Sequence, residues 1–305
     1  MVMPMSSASA KPAVLGISIG AALISLFVGA LAMGISPVFV RHSEVQPFVS
    51  AFWRVALSLP VLCLWARLER KDTAGPTAGG NRALLLGGLF FAGDLIFWHL
   101  AIAHTSIANA TFFACLAPLW VAVLSRFTIG EAVPRQTVYG LAVCLPGAGL
   151  LIFHSASDGS GNWIGDLYGI ATSFFFGLYF LAMRNARRYF GAGAATLRST
   201  AITAVALLGG AMLSGDAFLP ETMTGAANLV ALGVVSHAGG QGLLALALGV
   251  LSASFSSLVI FVEAVAAALF AWLFAGEALG ALQIAGGVLI LFGLYIARPR
   301  AAPTT

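Results

Sequence analysis

Charged residues are scarce in this chain of 305 residues, because only 9% are Asp, Glu, Lys or Arg while 60% are hydrophobic. Globular proteins average about 25% charged residues, so a water-soluble domain with an ordinary polar surface is excluded. The chain has only three cysteines, Cys63, Cys115 and Cys144, and all lie in apolar runs without paired spacing. We therefore expect no disulfide and no metal site. No GxxxxGK(S/T) pattern occurs, which excludes an ATP motor of that class, and no cofactor is expected.

Long apolar runs are what the sequence has in abundance. A run of about twenty residues is the length that a helix needs to cross a hydrocarbon core of roughly 30 Å. The runs are continuously apolar, whereas barrel strands alternate every second residue, so we predict an all-α integral membrane protein with the lipid bilayer as its surroundings. Ten helices are predicted, at 15–40, 47–66, 83–103, 106–127, 135–154, 165–184, 194–214, 227–249, 252–275 and 280–297.

The two ends of the chain are predicted to be disordered tails, residues 1–14 and 299–305, because they are short and polar or small. The first apolar run, 15–40, is too long for a cleaved signal peptide and is followed at once by further runs. We expect it to remain as the first helix.

The basic residues predict the orientation of the ten helices. Of the fifteen Lys and Arg residues, thirteen fall on one side of the membrane, Arg41 falls on the other, and Arg54 lies within the second helix. Cytoplasmic loops are enriched in Lys and Arg, so both termini are predicted to be cytoplasmic. The basic character therefore reflects topology and predicts no nucleic-acid partner.

An internal repeat emerges when the chain is shifted against itself by 146 residues, which places Gly130–Ala132 on Gly276–Ala278. The same shift places Gly87, Gly93, Gly140 and Gly147 on Gly233, Gly239, Gly286 and Gly293. Two repeats are predicted, at 15–154 and 163–298, each with five helices. An odd number of helices makes the second repeat enter from the opposite side, so the repeats are inverted. Glu131 and Glu277 match in these repeats, and capping of helix ends is sufficient to explain both.

Several stretches resemble a known family. They are AFWRVALSLP from Ala51 to Pro60, the run from Gly93 to Glu131 that begins GDLIFWHLAIAHTSIANATFFACLAP, and AGEALGALQIAGGVLILFGLYI near the C-terminus. They are similar to the drug/metabolite transporter superfamily and, more narrowly, to its EamA-type ten-helix bacterial members. The resemblance covers 16–298. One departure is that Pro118 of the first repeat meets Ala264 in the second.

The resemblance implies a transporter in the bacterial inner membrane that exports metabolites, including amino acids in some members, through a central cavity between two five-helix halves. Helices one, three, four, six, eight and nine would line the cavity, and helices five and ten would lie at the periphery. The implied partner is a small-molecule substrate.

Polar side chains within the apolar runs are the candidate substrate-binding residues, because a carboxylate in the centre of a membrane helix costs about 2.5–3.5 kcal/mol on insertion scales and should face a wet or paired interior. Asp94 and Trp98 are four residues apart and share a helical face, and His99, about 100° further round the same helix, is a further candidate. An interhelical hydrogen bond or an ion pair with Arg54 is the alternative for Asp94. For Glu263, close packing beside its alanine neighbours is the alternative.

A second polar patch is predicted on helix eight, where His237 and Gln241 share a face and Gln241 lies one residue from the repeat counterpart of Asp94. Asn109, with its neighbour Thr111, and Tyr179 are further candidates. A packing hydrogen bond is the alternative for His237. A structural role is the first interpretation of Arg54, since a guanidinium there can snorkel or pair.

These residues predict a secondary exporter of small metabolites, amino acids above all, that works by alternating access. Coupling to protons and facilitated diffusion both fit the sequence. A drug or nucleotide-sugar carrier of the same architecture is the alternative within transporters. An intramembrane enzyme that uses Asp94 and His99 as acid and base is a remote alternative, because the sequence shows neither a nucleophile with a partnered base nor clustered metal ligands. The chain is therefore not expected to be an enzyme.

Overall fold

The computed structural model describes residues 17–69, 77–104, 107–156, 163–275 and 279–299. Within these ranges all the regular secondary structure is helical. The predicted N-terminal tail, most of the predicted C-terminal tail and Glu277 lie outside the described residues.

The first half of the chain forms eight helical segments. They are α1 (Ile19–Gly34), α2 (Ser36–Arg41), α3 (Pro47–Ala56), α4 (Leu59–Leu68), α5 (Ala78–His104), α6 (Ile107–Ala114), α7 (Ala117–Thr128) and α8 (Arg135–Ala156). Prolines follow the breaks between α1 and α2, between α3 and α4 and between α6 and α7. Proline cannot donate a backbone hydrogen bond but is accepted in the first turn of a helix. Each of these helices is therefore interrupted just before its proline, and a new helical segment begins there.

The second half repeats this arrangement with α9 (Trp163–Ala186), α10 (Ala192–Ser214), α11 (Met223–Ala231), a π-helix (Leu232–Gln241), α12 (Gly242–Leu248), α13 (Ala253–Ser256), α14 (Val259–Ala275) and α15 (Ala281–Ala297). The break between α13 and α14 has no proline. Val259, where α14 begins, is equivalent to Phe113 by the 146-residue shift, whereas α7 begins at Ala117. The kinks of the two halves are therefore offset by about one turn.

Seven helical stretches of the described residues are long and apolar enough to cross a membrane. They are Ile19–Arg41, Pro47–Leu68, Ala78–Ala101, Trp163–Ala186, Ala192–Ser214, Met223–Leu248 and Ala253–Phe274. Phe112–Thr128 and Ala281–Ala297 are shorter apolar helices, and α8 adds a further 22 residues with Pro146 inside it. This set agrees with an all-α membrane fold, and the count of ten spans stays a prediction.

The core of the bundle is built from helices of both halves. α5 packs along α9, α1 packs against α12, α14 and the π-helix, and α10 packs against α3, α4 and α5. α8 and α15 pack mainly against each other. The central helices α1, α5, α9 and α14, together with the π-helix, thereby surround the middle of the molecule.

The contact between α8 and α15 depends on glycines that the repeat makes equivalent. A Cβ atom on Gly140 would lie 2.5 Å from the carbonyl oxygen of Gly293, and one on Gly286 would lie 2.5 Å from that of Gly147. Cys144 lies opposite its own equivalent, with its Sγ 3.5 Å from the carbonyl oxygen of Ile290. Gly140 thus contacts Gly293, and its equivalent Gly286 contacts Gly147, the equivalent of Gly293, which is the pattern of an isologous two-fold contact.

Candidate functional site

A cavity of about 90 Å³ lies where the central helices of both halves meet. Its polar lining consists of Ser36, Arg54, Asp94, Thr172, Gln241 and Glu263. Its aromatic lining consists of Phe91, Trp98 and Phe176, and small or aliphatic residues such as Gly34 and Ala267 complete the wall. A mostly apolar cavity with a few convergent polar groups is typical of a small-molecule site.

α5 contributes Asp94 and Trp98, and both side chains line the cavity. Asp94 is 7% exposed. Among the described residues its carboxylate has neither a hydrogen bond nor an ion pair, so the alternative of a direct pair with Arg54 is not what the structure shows. The carboxylate is available to a molecule in the cavity.

Glu263 reaches the cavity from α14, and Arg54 reaches it from α3. Arg54 is 8% exposed, and its Nε atom is buried without a hydrogen-bond partner. The guanidinium interacts electrostatically with Glu263 and Asp94. The site therefore contains one cation and two carboxyl groups, a formal charge of −1 when both carboxyls are ionised.

Gln241 lines the cavity from the end of the π-helix and is held by Tyr179. The Tyr179 hydroxyl donates a hydrogen bond to Gln241 Oε1 at 3.2 Å, and its ring stacks on Phe176. Tyr179 itself is outside the cavity lining. The structure therefore places this predicted residue behind Gln241, where it can orient the amide.

His237 is also outside the cavity lining, although the sequence grouped it with Gln241. Its Nε2 atom lies 2.9 Å from Thr200 Oγ1 of α10, and its Nδ1 atom has no partner among the described residues. The segment that carries both side chains is a π-helix. Residues four apart lie close to one face in an α-helix and in a π-helix alike, so the helix type does not separate them. His237 instead contacts α10, whereas Gln241 lines the cavity.

His99, a candidate from the sequence, is outside the cavity lining. Its Nδ1 atom lies 2.5 Å from the carbonyl oxygen of Leu95, and its ring contacts Phe48 and Trp98. Asn109 and Thr111 belong to α6, but their side chains lie outside the described part of the chain.

One end of the bundle is closed by the Glu131 cluster, which consists of Glu131, Arg184 and Arg188. Arg184 Nε lies 2.5 Å from Glu131 Oε1, and Arg188 Nη2 lies 3.9 Å from the same oxygen. Glu131 Oε2 accepts a hydrogen bond from the Ala253 amide at the start of α13, and Arg184 donates to the carbonyl oxygen of Leu248. Glu131 is therefore a helix cap, as expected, and also an ion-pair partner that joins the two halves.

Two further glutamates of the first half cap helices of the second. Glu69 accepts hydrogen bonds from the amides of Ala192, Gly193 and Ala194 at the start of α10. Glu44, at the opposite end of the molecule, accepts hydrogen bonds from the amide and the hydroxyl of Thr222, and these bonds lower the pKa of its carboxyl. Carboxylates at helix N-termini are stabilised by unpaired amides and by the helix dipole.

The cavity is displaced away from the Glu131 cluster. Trp98 is near the far end of α5, Ala267 follows Glu263 along α14, and Gly34 and Pro37 lie near Arg41. The lining therefore extends from the middle of the bundle toward the end where Arg41 lies.

Among the polar and aromatic residues of the lining, sequence reasoning missed Ser36, Phe91, Thr172 and Phe176, and it assigned a structural role to Arg54. For Arg54 a signal was present, because it is the only basic residue within a predicted helix interior. For Thr172 and the two phenylalanines the sequence contains no such signal, because residues of these types are common in the packed interior of membrane helices.

The model of the EamA-like transporter family matches the chain twice, over residues 20–153 and 163–298. The chain belongs to this family. The resemblance to EamA-type members of the drug/metabolite transporter superfamily is thereby confirmed, and the chain is a multi-pass membrane transporter rather than an enzyme.

Individual relatives of this EamA-family chain agree with that assignment. The pseudopaline exporter CntI, found in two strains of Pseudomonas aeruginosa, is 29% identical over 240 residues, which cover 79% of this chain and 82% of CntI. An uncharacterized transporter from Archaeoglobus fulgidus is 25% identical over 277 residues, covering 90% of this chain and 94% of the relative. A solved crystal structure superposes with a TM-score of 0.74 at 20% identity, covering 91% of this chain and 98% of that one, and shows the fold alone.

Proposed function

We propose that this EamA-family chain is a secondary exporter of small metabolites that carry both amino and carboxylate groups, amino acids foremost. The observation that carries the proposal is the cavity that Arg54, Asp94, Glu263 and Trp98 all line. Groups of opposite charge in one cavity suit a zwitterionic substrate, and the aromatic lining suits the side chain of that substrate. The relative CntI is an exporter, which supports export as the direction of transport.

Alternating access is the mechanism that we propose. It is supported by the difference between the two ends: the Glu131 cluster joins the halves at one end, while the cavity extends toward the other. Rocking of the two halves about the central site would break the cluster and close the opposite end. The ion pair has little exposure, with side chains 19% and 17% exposed, so it is suited to a contact that forms in one state.

The proposed topology has ten membrane helices in two inverted repeats, at 15–154 and 163–298, with both termini in the cytoplasm of a bacterium and the protein in the inner membrane. Its support is the two-fold contact between α8 and α15, which inverted repeats require, and the concentration of Arg residues at the end that holds the Glu131 cluster. In this orientation the cavity extends toward the periplasm.

The experiment is uptake of labelled amino acids into proteoliposomes that contain the purified chain, with and without a pH gradient. We expect transport of at least one amino acid above that of protein-free vesicles. Stimulation by the gradient would indicate proton coupling, and equal rates would indicate facilitated diffusion. Absence of transport for every amino acid, in protein that is folded by size-exclusion chromatography, would contradict the substrate class.

A nucleotide-sugar carrier fits the charges poorly. The phosphates of such a substrate are negative, and Asp94 and Glu263 would repel them in a cavity that holds a single arginine. A screen of drugs and nucleotide sugars by thermal shift would detect this alternative as a stabilised protein.

A further inference from the structure

Arg54 is more buried than Arg184 and Arg187, yet it has no hydrogen-bond or ion-pair partner among the described residues, unlike those two arginines. Arg184 bonds to Glu131 and to a carbonyl oxygen, and Arg187 donates to the carbonyl oxygen of Ala245 at 2.8 Å. Arg54 makes no hydrogen bond and no ion pair among the described residues, and its Nε atom is buried and unpartnered. A buried guanidinium that serves packing alone would be expected to have its donors satisfied.

An unpaired guanidinium in a buried position is costly, and the cost is recovered when an anion binds to it. Asp94 and Glu263 are close enough to interact with Arg54 through space, yet neither is hydrogen-bonded to it. The three groups thus surround the cavity without neutralising each other in direct contact. A guest with an anionic and a cationic end could satisfy both kinds of group.

We propose that Arg54 is the specificity-determining residue that binds the carboxylate of the substrate, while Asp94 and Glu263 bind its ammonium group. This inference rests on the proposed function and adds which residues bind each end of the zwitterionic substrate, and hence the orientation of the substrate in the cavity. The planar guanidinium is matched to a carboxylate in two parallel hydrogen bonds, a geometry that lysine does not offer.

The aromatic residues Phe91, Trp98 and Phe176 would then contact the remainder of the substrate. With both carboxyls ionised the site carries a formal charge of −1, so a molecule with a carboxylate and no amine meets net repulsion. A molecule with an amine and no carboxylate leaves Arg54 unpaired. Both kinds of analogue are therefore expected to bind less well than the zwitterion.

The test uses matched triplets of compounds: an amino acid, the amine formed by its decarboxylation and the acid that lacks its amino group. Each is measured as a competitor of labelled amino-acid transport in proteoliposomes of the full chain. For the wild type we expect the amino acid to inhibit about tenfold more strongly than the amine, because a hydrogen bond to a charged group contributes about 1.5–3 kcal/mol.

Three variants complete the experiment. Arg54→Gln should abolish the preference for the amino acid over the amine, and Arg54→Lys should retain a part of it. Thr203→Val is the matched control, because Thr203 is buried and donates to the carbonyl oxygen of Gly88 away from the cavity, and it should leave the preference unchanged.

Equal inhibition by amine and amino acid in the wild type would overturn the role of Arg54 while leaving the proposed function intact. That comparison needs no variant, so it remains decisive even where Arg54→Gln does not fold. A preference that survives in folded Arg54→Gln would overturn the role as well. Failure of the wild type to transport any amino acid would instead refute the proposed function itself.

Discussion

The two-fold equivalence of the internal repeat is close in the peripheral pair of helices, α8 and α15, and is lost in the central cavity. At the periphery the equivalent distances nearly coincide: a Cβ on Gly147 would lie 2.9 Å from the carbonyl oxygen of Gly286, and one on Gly293 would lie 2.8 Å from that of Gly140. In the centre the equivalent positions differ in chemistry. Asp94 corresponds to Gly240 and Glu263 corresponds to Ala117.

The difference shows which feature the repeat preserves. Close helix contact depends on small residues at fixed positions, and a two-fold contact requires them on both helices. A substrate with two chemically different ends does not have this symmetry, so a cavity lined by identical residues from both repeats would not match it. The π-helix is a further departure, because its equivalent, 86–95, is part of the α-helix α5.

The largest effects on transport are expected from substitutions in the central cavity. We predict that Asp94→Asn and Trp98→Ala each lower transport by about tenfold or more, since a charge-assisted contact or a buried aromatic surface is lost. Folded yield should stay near that of the wild type, because neither side chain is hydrogen-bonded to the described protein. Transport assays and size-exclusion chromatography measure the two quantities.

Matched controls for these variants lie outside the cavity. Asp216→Asn makes the same chemical change in the loop after α10, and Trp272→Ala removes a tryptophan that is 49% exposed. Both should transport normally. If Asp94→Asn and Trp98→Ala both failed to fold, a packing role for the two residues would be favoured instead.

At the periphery we predict the opposite pattern, a loss of stability with transport per folded molecule unchanged. Gly140→Ala and its equivalent Gly286→Ala each place a Cβ 2.5 Å from a backbone oxygen, and overpacking of this kind costs about 1–3 kcal/mol. Thermal unfolding in detergent measures the effect, and the two variants should lower Tm by similar amounts.

Gly209→Ala is the control for the glycine variants, because a Cβ on Gly209 in α10 would meet nothing within 4 Å. Alanine is the better helix former, so Tm should stay constant or rise. A Tm loss confined to one of the two equivalent glycines would show that the two-fold contact is less symmetric than the distances suggest.

The smallest effect is expected at the Glu131 cluster, which lies at one end of the bundle. Glu131→Gln removes a partly exposed ion pair, worth about 1 kcal/mol or less, and retains a cap for α13. We predict faster hydrogen exchange of the amides near Ala253 and a change of a few-fold or less in transport rate. Glu44→Gln, at the opposite end, should leave exchange near Ala253 unchanged; if it did not, the two ends would be coupled in this state.

Much of the fold could be predicted from the sequence, because few backbone conformations satisfy their own hydrogen bonds within a bilayer. Continuous apolar runs in a bilayer must form helices, and the positions of Gly140, Gly147, Gly286 and Gly293 revealed the repeat before their contact was seen. The π-helix could not be predicted, because its residues have the same composition as an α-helical segment. The break between α13 and α14 also lacked a signal, since no proline marks it.

For the candidate site, Asp94, Trp98, Gln241 and Glu263 were identified from polar or aromatic residues in apolar runs, and all four line the cavity. Tyr179, His99 and His237 were placed near it and lie behind or beside it. The direction of a side chain in a helix depends on local helix geometry and on its neighbours, which one sequence does not specify.

The membrane environment, the helical class, the repeat and the small set of polar groups that must be sheltered from lipid all follow from the amino-acid sequence. The reason is that the length of apolar runs and the cost of placing a charge in lipid depend on residue types. Which of those polar groups line one cavity depends on the packing of the helices. Arg54 is the clearest case. Its position within a membrane helix was evident from the sequence, but its lack of a partner among the described residues and the two carboxyl groups that line the same cavity arise from packing between helices far apart in sequence.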